Sequence, residues 1–261
     1  MDNTFHIDGG TLRVEGLRVA FNALVALDNV SWEVHPGEIL GVIGSNGAGK
    51  STCYNATTNM VTRTGKVEID GRDVSDQPAS RLASLGLRRA FQQNAFFTHL
   101  TVLDNMIAVI QPEHGTSLLG TILRPLFEHR KAAHTRQIAA DALVHMGIPS
   151  EFHDRLPGEI PYGTQRMLSI ALANGTGARI LLLDEPAAGL GGEDMRKLCD
   201  LLLALRAGGM AIVIIEHNMD LVMQITDRMV VLDRGKRIAY GTPTEIRHDP
   251  RVLEAYLGSD E

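Results

Sequence analysis

The order of apolar and polar positions divides the chain into three stretches. Residues 12–19 and 27–34 alternate in part, as strands with one buried face do. Pro36 and Gly37 predict a turn. The run 38–43 is almost continuously apolar, as a strand covered on both faces requires. A glycine-rich loop and a helix from Ser51 come next, then a short strand over 66–71 ending in an Asp-Gly turn. The period then changes. Residues 101–110 and 126–146 carry helical spacing, and Gly147 and Pro149 stop the second helix. Beyond it, strand and helix alternate: strands over 180–183, 211–215 and 229–232, helices over 193–207 and 219–226. Such alternation predicts a parallel sheet with crossover helices. Short helices over 242–248 and 251–257 flank Pro250. The pattern is an α/β core interrupted by a helical insert, with no internal repeat.

Composition narrows the field. The 261 residues carry 31 acidic and 25 basic groups, a net charge of -6, which opposes a protein that coats nucleic acid by charge. Aromatics at 5% disfavour a surface that stacks bases. Cys53 and Cys199 show no metal-ligand or disulfide spacing. Neither a signal-peptide pattern nor an apolar run of membrane length is present, so the expectation is a cytoplasmic chain.

The chemistry concentrates at two strand ends. Gly44, Ser45, Asn46, Gly47, Ala48, Gly49, Lys50 and Ser51 match G-x-x-x-x-G-K-[ST] at every fixed position, between a buried strand and a helix. Glycines let backbone N–H groups close around phosphate oxygens, and the helix N-terminus adds a positive dipole end. Lys50 is expected to reach the β- and γ-phosphates of ATP, Ser51 to ligate Mg2+, and Thr52 to complete the loop. The strand over 180–183 delivers Asp184 and Glu185 to its C-terminal end, where open α/β sheets bind ligands. Asp184 is a second Mg2+ ligand on this reading, and Glu185 a general base for the attacking water.

With these residues in place, the sequence resembles an ATP-binding cassette (ABC) ATPase over nearly its whole length. That resemblance implies a P-loop NTPase core, an antiparallel β subdomain and an α-helical subdomain. It also implies core segments over 1–94 and 176–240, a helical subdomain over 95–175 and terminal helices over 241–261. Gln92, after Phe91, stands at the family's Q-loop, which touches Mg2+ and couples to the membrane partner. His217, in Ile214-Ile-Glu-His217, matches the switch histidine at the γ-phosphate. Pro186 to Leu190 resembles the D-loop, and Phe21 sits where a family aromatic stacks on adenine. The segments at Arg89–Gln92, Asp184–Leu190 and Ala239-Tyr-Gly-Thr-Pro are similar to branched-chain amino-acid importers. The partners so implied are membrane permease subunits and a second homologous ATPase, as heterodimer or homodimer. A periplasmic or extracellular binding protein takes part indirectly, and nucleic acid does not. The chain would sit peripherally on the inner face of the cell membrane.

Departures from the family pattern fall in two short segments. The usual Leu-Ser-Gly-Gly-Gln signature is replaced by Ile160-Pro161-Tyr162-Gly163-Thr164, and the D-loop ends in Gly191. Proline removes a hydroxyl and an N–H from a segment that donates to a phosphate in the family, unless it simply occupies a first helical position. In the family each ATP lies between one subunit's phosphate loop and the other's signature. The expectation is therefore a heterodimer with one competent and one slow site. A urea, amide or aromatic-acid importer and a soluble non-transport ABC protein are the alternatives. A small-molecule kinase leaves Gln92, the 160–166 segment and His217 unexplained, and a non-hydrolysing regulatory subunit is the last rival.

Overall fold

A computed structural model describes residues 7–90, 96–110, 125–175 and 177–257. The chain forms two compact units, residues 1–92 with 177–261 and residues 93–176. In chain order the first unit opens with strands β1 (Leu12–Phe21), β2 (Leu24–Val34) and β3 (Ile39–Gly44) and helix α1 (Lys50–Thr57). Strands β4 (Thr64–Ile69) and β5 (Arg72–Asp73), helix α2 (Ala79–Ser84) and strand β6 (Leu87–Ala90) follow. The second unit contains helices α3 (Val102–Ile110), α4 (Pro125–His145) and α5 (Tyr162–Asn174). The chain then returns with β7 (Ile180–Asp184), α6 (Gly192–Ala207), β8 (Ala211–Ile215), α7 (Met219–Ile225), β9 (Arg228–Asp233) and β10 (Lys236–Gly241). Helices α8 (Pro243–Arg247) and α9 (Pro250–Leu257) end it.

The central sheet of the first unit has the order β10-β9-β3-β8-β7-β6, parallel from β9 through β6, with β10 antiparallel to β9. Side chains alternate between its faces. Leu40, Val42, Val213, Val230 and Leu232 join one apolar cluster with α1 and the second sheet. Ile43, Met229 and Val231 enter another, with Val222, Ile246 and Val252. Both faces of β3 are therefore covered, and all six of its residues are buried. The second sheet, β2-β1-β4-β5, is antiparallel. The Asp-Gly turn expected from sequence joins β4 to β5, both residues in the left-handed region at φ 52° and 74°. Trp32 Nε1 donates to Cys53 Sγ at 3.3 Å, fastening β2 to α1, and burial pushes that thiol up to about 11.

Elements that the periodicity missed are β5, α2, β6, β10 and the 13-residue helix α5. The first four are short or half-polar: β6 reads Leu-Arg-Arg-Ala and exists through its pairing with β7. In the helical unit Met106, Leu143, Met146, Ile148 and Leu168 are fully buried. The buried Asn105 amide donates to the Phe97, Leu100 and Thr101 carbonyls and its Oδ1 accepts from Phe97 N–H, which folds the turn before α3. His153 is buried, with Nε2 3.3 Å from the Ile148 carbonyl. Among the described residues no helix is long and apolar enough to cross a membrane.

Candidate nucleotide site

The glycine loop leaves β3 at Gly44, where a Cβ would lie 2.2 Å from the Leu232 carbonyl oxygen. Gly49, the N-cap of α1, holds φ at 102°, and a Cβ there would approach Ala26 O to 2.8 Å. Side chains are excluded at both positions, so backbone amides line this turn. Ala48 N–H donates to Ser45 O at 3.1 Å, and Gly235 N–H donates to Ala48 O at 3.0 Å, which ties the loop to the β9–β10 turn. Asn46, Gly47 and Ser51 are exposed, and Thr52 is half-buried. Lys50 is buried, and its Nζ donates to the carbonyls of Gly44 at 2.8 Å and Ser45 at 2.9 Å. Burial lowers the Lys50 pKa, while Glu185 and Asp184 act to raise it.

The carboxylates arrive from β7. Its first four residues are buried and apolar, whereas Asp184 and Glu185 at its end are half-buried. Asp184 pairs with Ile215 of β8, and Glu185 N–H donates to Ile215 O at 2.8 Å. Glu185 sits in the left-handed region at φ 46°, a strained posture for a side-chain-bearing residue. Its Oε1 lies 3.5 Å from His217 Nδ1. Burial raises the Asp184 pKa, the charges of Glu185 and Glu216 add to that, and Arg89 and Lys50 oppose it. Lys50, Asp184, Glu185 and His217 thus converge at the C-terminal edge of the parallel sheet.

Glu216 has no role in the sequence reading, yet it is fully buried at the end of β8. Its Oε1 accepts from Ala187 N–H at 2.8 Å, and its Oε2 from His217 N–H at 3.2 Å and Asn218 N–H at 3.5 Å. One carboxyl therefore links the turn after Glu185 to the histidine beside it. Burial pushes its pKa up, and those three N–H donors hold it down. A carboxylate directly after five buried apolar residues was the available signal, since a buried charge needs partners.

Phe21 closes β1, paired with Leu24 across a two-residue turn, and its ring is 49% exposed rather than in the core. Gln92 and Phe91 lie outside the described residues. In the helical unit Pro161 is the N-cap of α5, one residue before the first helical position, and no side chain caps that helix. Gly163 is buried, Thr164 half-buried, and Gly191 is the exposed N-cap of α6. No group of three or more metal-ligating side chains occurs among the described residues. A cavity of about 660 Å³ flanks the glycine loop, lined among others by Ser45, Asn46, Gly47, Arg234 and Arg251. Lys50, Asp184, Glu185 and His217 do not line it, so it borders the loop rather than containing the chemistry.

Residues 27–188 match the family model described as ABC transporter, and residues 236–261 match that of the branched-chain amino acid ATP-binding cassette transporter. The chain is 38% identical to the high-affinity branched-chain amino acid transport ATP-binding protein LivG of Salmonella typhimurium, over 95% of this chain and 97% of the relative. It is 36% identical to BraF of Pseudomonas aeruginosa, also a high-affinity branched-chain amino acid transport ATP-binding protein, over the same shares. Identity to the lipopolysaccharide export system ATP-binding protein LptB of Escherichia coli is 31%, over 96% and 98%. Among solved structures, a nucleotide-free ATP-binding cassette from an ABC transporter superimposes with a TM-score of 0.80 at 30% identity, covering 95% of this chain and 98% of that one. An ADP-bound cassette gives the same TM-score and identity over 95% and 99%.

Proposed function

This chain belongs to the ABC transporter family as an ATP-hydrolysing subunit, and we propose that it drives import of branched-chain or related amino acids. The convergence of Lys50, Asp184, Glu185 and His217 beside a glycine loop that admits no side chain at Gly44 or Gly49 carries the hydrolysis, and the match of residues 236–261 to the branched-chain amino acid cassette family supports the amino-acid cargo. Loop amides from Ser45 to Thr52 cradle the phosphates of ATP, and Lys50 neutralises the β- and γ-oxygens. Glu185 takes the proton of the water that attacks the γ-phosphorus, ADP leaves, and His217 contacts the transferred phosphoryl group. Phe21, exposed at its hairpin tip, offers an aromatic face to the adenine. Gln92 is the expected coupling residue toward the membrane partner.

The residues present fit Mg2+. Asp184 is a half-buried carboxyl whose pKa burial and two neighbouring carboxyls push up, a place where added positive charge is favourable. Ser51, Asp184 and Gln92 would hold the ion, which neutralises charge developing on the phosphate oxygens. The partners on this reading are permease subunits, a second ATPase and, through the permease, a soluble binding protein. The chain docks on the inner face of the membrane, with the helical unit over 95–175 as the coupling subdomain. Pro161 and Thr164 weaken the signature offered to the partner's ATP, so the assembly is a heterodimer whose faster site uses this chain's own phosphate loop.

Uptake by the tagged transporter, purified with its native partners and reconstituted into vesicles, tests this. Leucine should enter with ATP and stop entering in Glu185→Gln. Uptake of urea, an amide or an aromatic acid in place of leucine would reassign the substrate. Unchanged hydrolysis in Glu185→Gln would move the faster site to the partner's phosphate loop.

A further inference from the structure

The groups that must meet at the nucleotide come from three backbone segments: α1 with Lys50 and Ser51, β7 leading to Asp184 and Glu185, and β6 leading to Gln92. Something must fix their spacing, because catalysis by positioning loses rate steeply with displacement. Tyr54, one turn beyond Ser51, is buried, and its hydroxyl lies 2.8 Å from the Ala90 carbonyl and 3.1 Å from the Leu182 carbonyl. Those carbonyls stand two residues ahead of Gln92 and of Asp184. A single phenolic proton is thus shared between β6 and β7, the strand that leads to Asp184 and Glu185. Burial pushes the Tyr54 pKa up to about 12, so the hydroxyl remains a donor throughout the working pH range.

Arg89 of β6 closes the arrangement from the other side. Its guanidinium carbon lies 4.2 Å from the Tyr54 ring centroid. One terminal nitrogen donates to Asn55 Oδ1 at 2.9 Å and the other to Thr58 Oγ1. The first of these partners lies on α1 and the second caps its end. A planar fork with two separate donors suits this geometry, and a lysine could not reproduce it.

From these contacts we infer that Tyr54 and Arg89 form an internal clasp that sets the distance between the phosphate-binding helix α1 and strands β6 and β7, the second of which delivers Asp184 and Glu185. They are positioning residues for ATP hydrolysis, and this rests on the function proposed above. Neither needs to touch nucleotide, so the clasp acts on turnover and leaves ground-state binding nearly intact.

The test uses the tagged full-length chain purified with its native partners, in wild type, Tyr54→Phe, Arg89→Lys and the double variant. Glu185→Gln runs in parallel. Hydrolysis is normalised to the number of nucleotide-binding sites, so that partial unfolding does not count as lost turnover. Each single variant should lower kcat about tenfold, by misplacement rather than loss of a reacting group. KM for ATP should change less than about twofold, and the double variant should be no worse than the poorer single one. Wild-type kcat per site in Tyr54→Phe and Arg89→Lys overturns the clasp, as does a rise in KM that accounts for the whole loss. Wild-type behaviour of Arg89→Lys alone also overturns it, because the positive charge near Asp184 would then suffice. Losses that add in the double variant show two independent roles and equally reject it. If Glu185→Gln abolishes hydrolysis while the clasp variants do not lower it, the clasp alone fails. If Glu185→Gln retains hydrolysis, the catalytic reading fails first.

Discussion

The nucleotide edge of the first unit and the altered signature of the helical unit are built in opposite ways. At the nucleotide edge the decisive contacts join distant parts of the chain. Glu216 holds Ala187 across 29 residues, and Tyr54 reaches Leu182 across 128. In the signature segment two side-chain contacts stay within one helical turn or so. Gln165 Nε2 donates to the Ile160 carbonyl five residues back, and Arg166 Nε donates to the Tyr162 hydroxyl four residues back while lying over its ring. The departures from the family pattern cluster there, and at Gly191, an exposed helix cap. The cross-braced edge keeps every expected residue.

The largest effect that tests this contrast is Lys50→Ala. It removes the buried ammonium between the Gly44 and Ser45 carbonyls, and equilibrium binding of a fluorescent ATP analogue should weaken by about two orders of magnitude, as loss of a charge-assisted contact predicts. Next comes Glu216→Ala, which strips three backbone N–H groups of their acceptor. Unsatisfied buried donors should lower stability by about 1–3 kcal/mol in urea unfolding, with turnover falling alongside. Loss of stability with normal turnover would show that the linkage between the Ala187 turn and His217 is dispensable.

Asp184→Asn should act in the reverse direction on stability. The folded pKa of Asp184 lies above its unfolded value, so this carboxyl favours folding below the unfolded pKa and loses that contribution as pH rises through the folded one. The asparagine variant should therefore melt higher than wild type without nucleotide, by a few degrees at most. The advantage should widen from pH 4 to pH 8 in calorimetry, and the melting rise that Mg-ATP gives the wild type should vanish. A difference independent of pH would mean that the carboxyl is not strained.

The smallest effect is expected at Pro161→Ser. Serine at this N-cap can accept from a first-turn N–H and should stabilise α5 by about 1 kcal/mol. Nucleotide binding to this chain's own loop should stay the same. In the assembled transporter, hydrolysis should rise at the partner's site. Altered binding at the chain's own loop would show that the signature segment acts on the phosphate loop of its own chain.

Sequence sufficed wherever chemistry was written in short spacing or continuous polarity. The glycine loop, the apolar run before Asp184 and Glu185, and the alternation of strand and helix each stem from a local requirement: backbone turns without side chains, strands covered on both faces, crossovers between parallel strands. Sequence also marked Pro161 as anomalous, while its place at the N-cap rather than inside the helix depended on where α5 begins. What sequence left open was pairing between distant segments. Strand β6 carries two arginines in four residues and becomes a strand because β7 supplies its ladder. Glu216 gains its role only when β8 brings the Ala187 turn within reach, and Tyr54 only when two carbonyls from separate strands meet its hydroxyl. Periodicity reports which face a residue turns to its own element. Which partner waits on that face is fixed by loop closure over tens to hundreds of residues, and only the folded chain decides it.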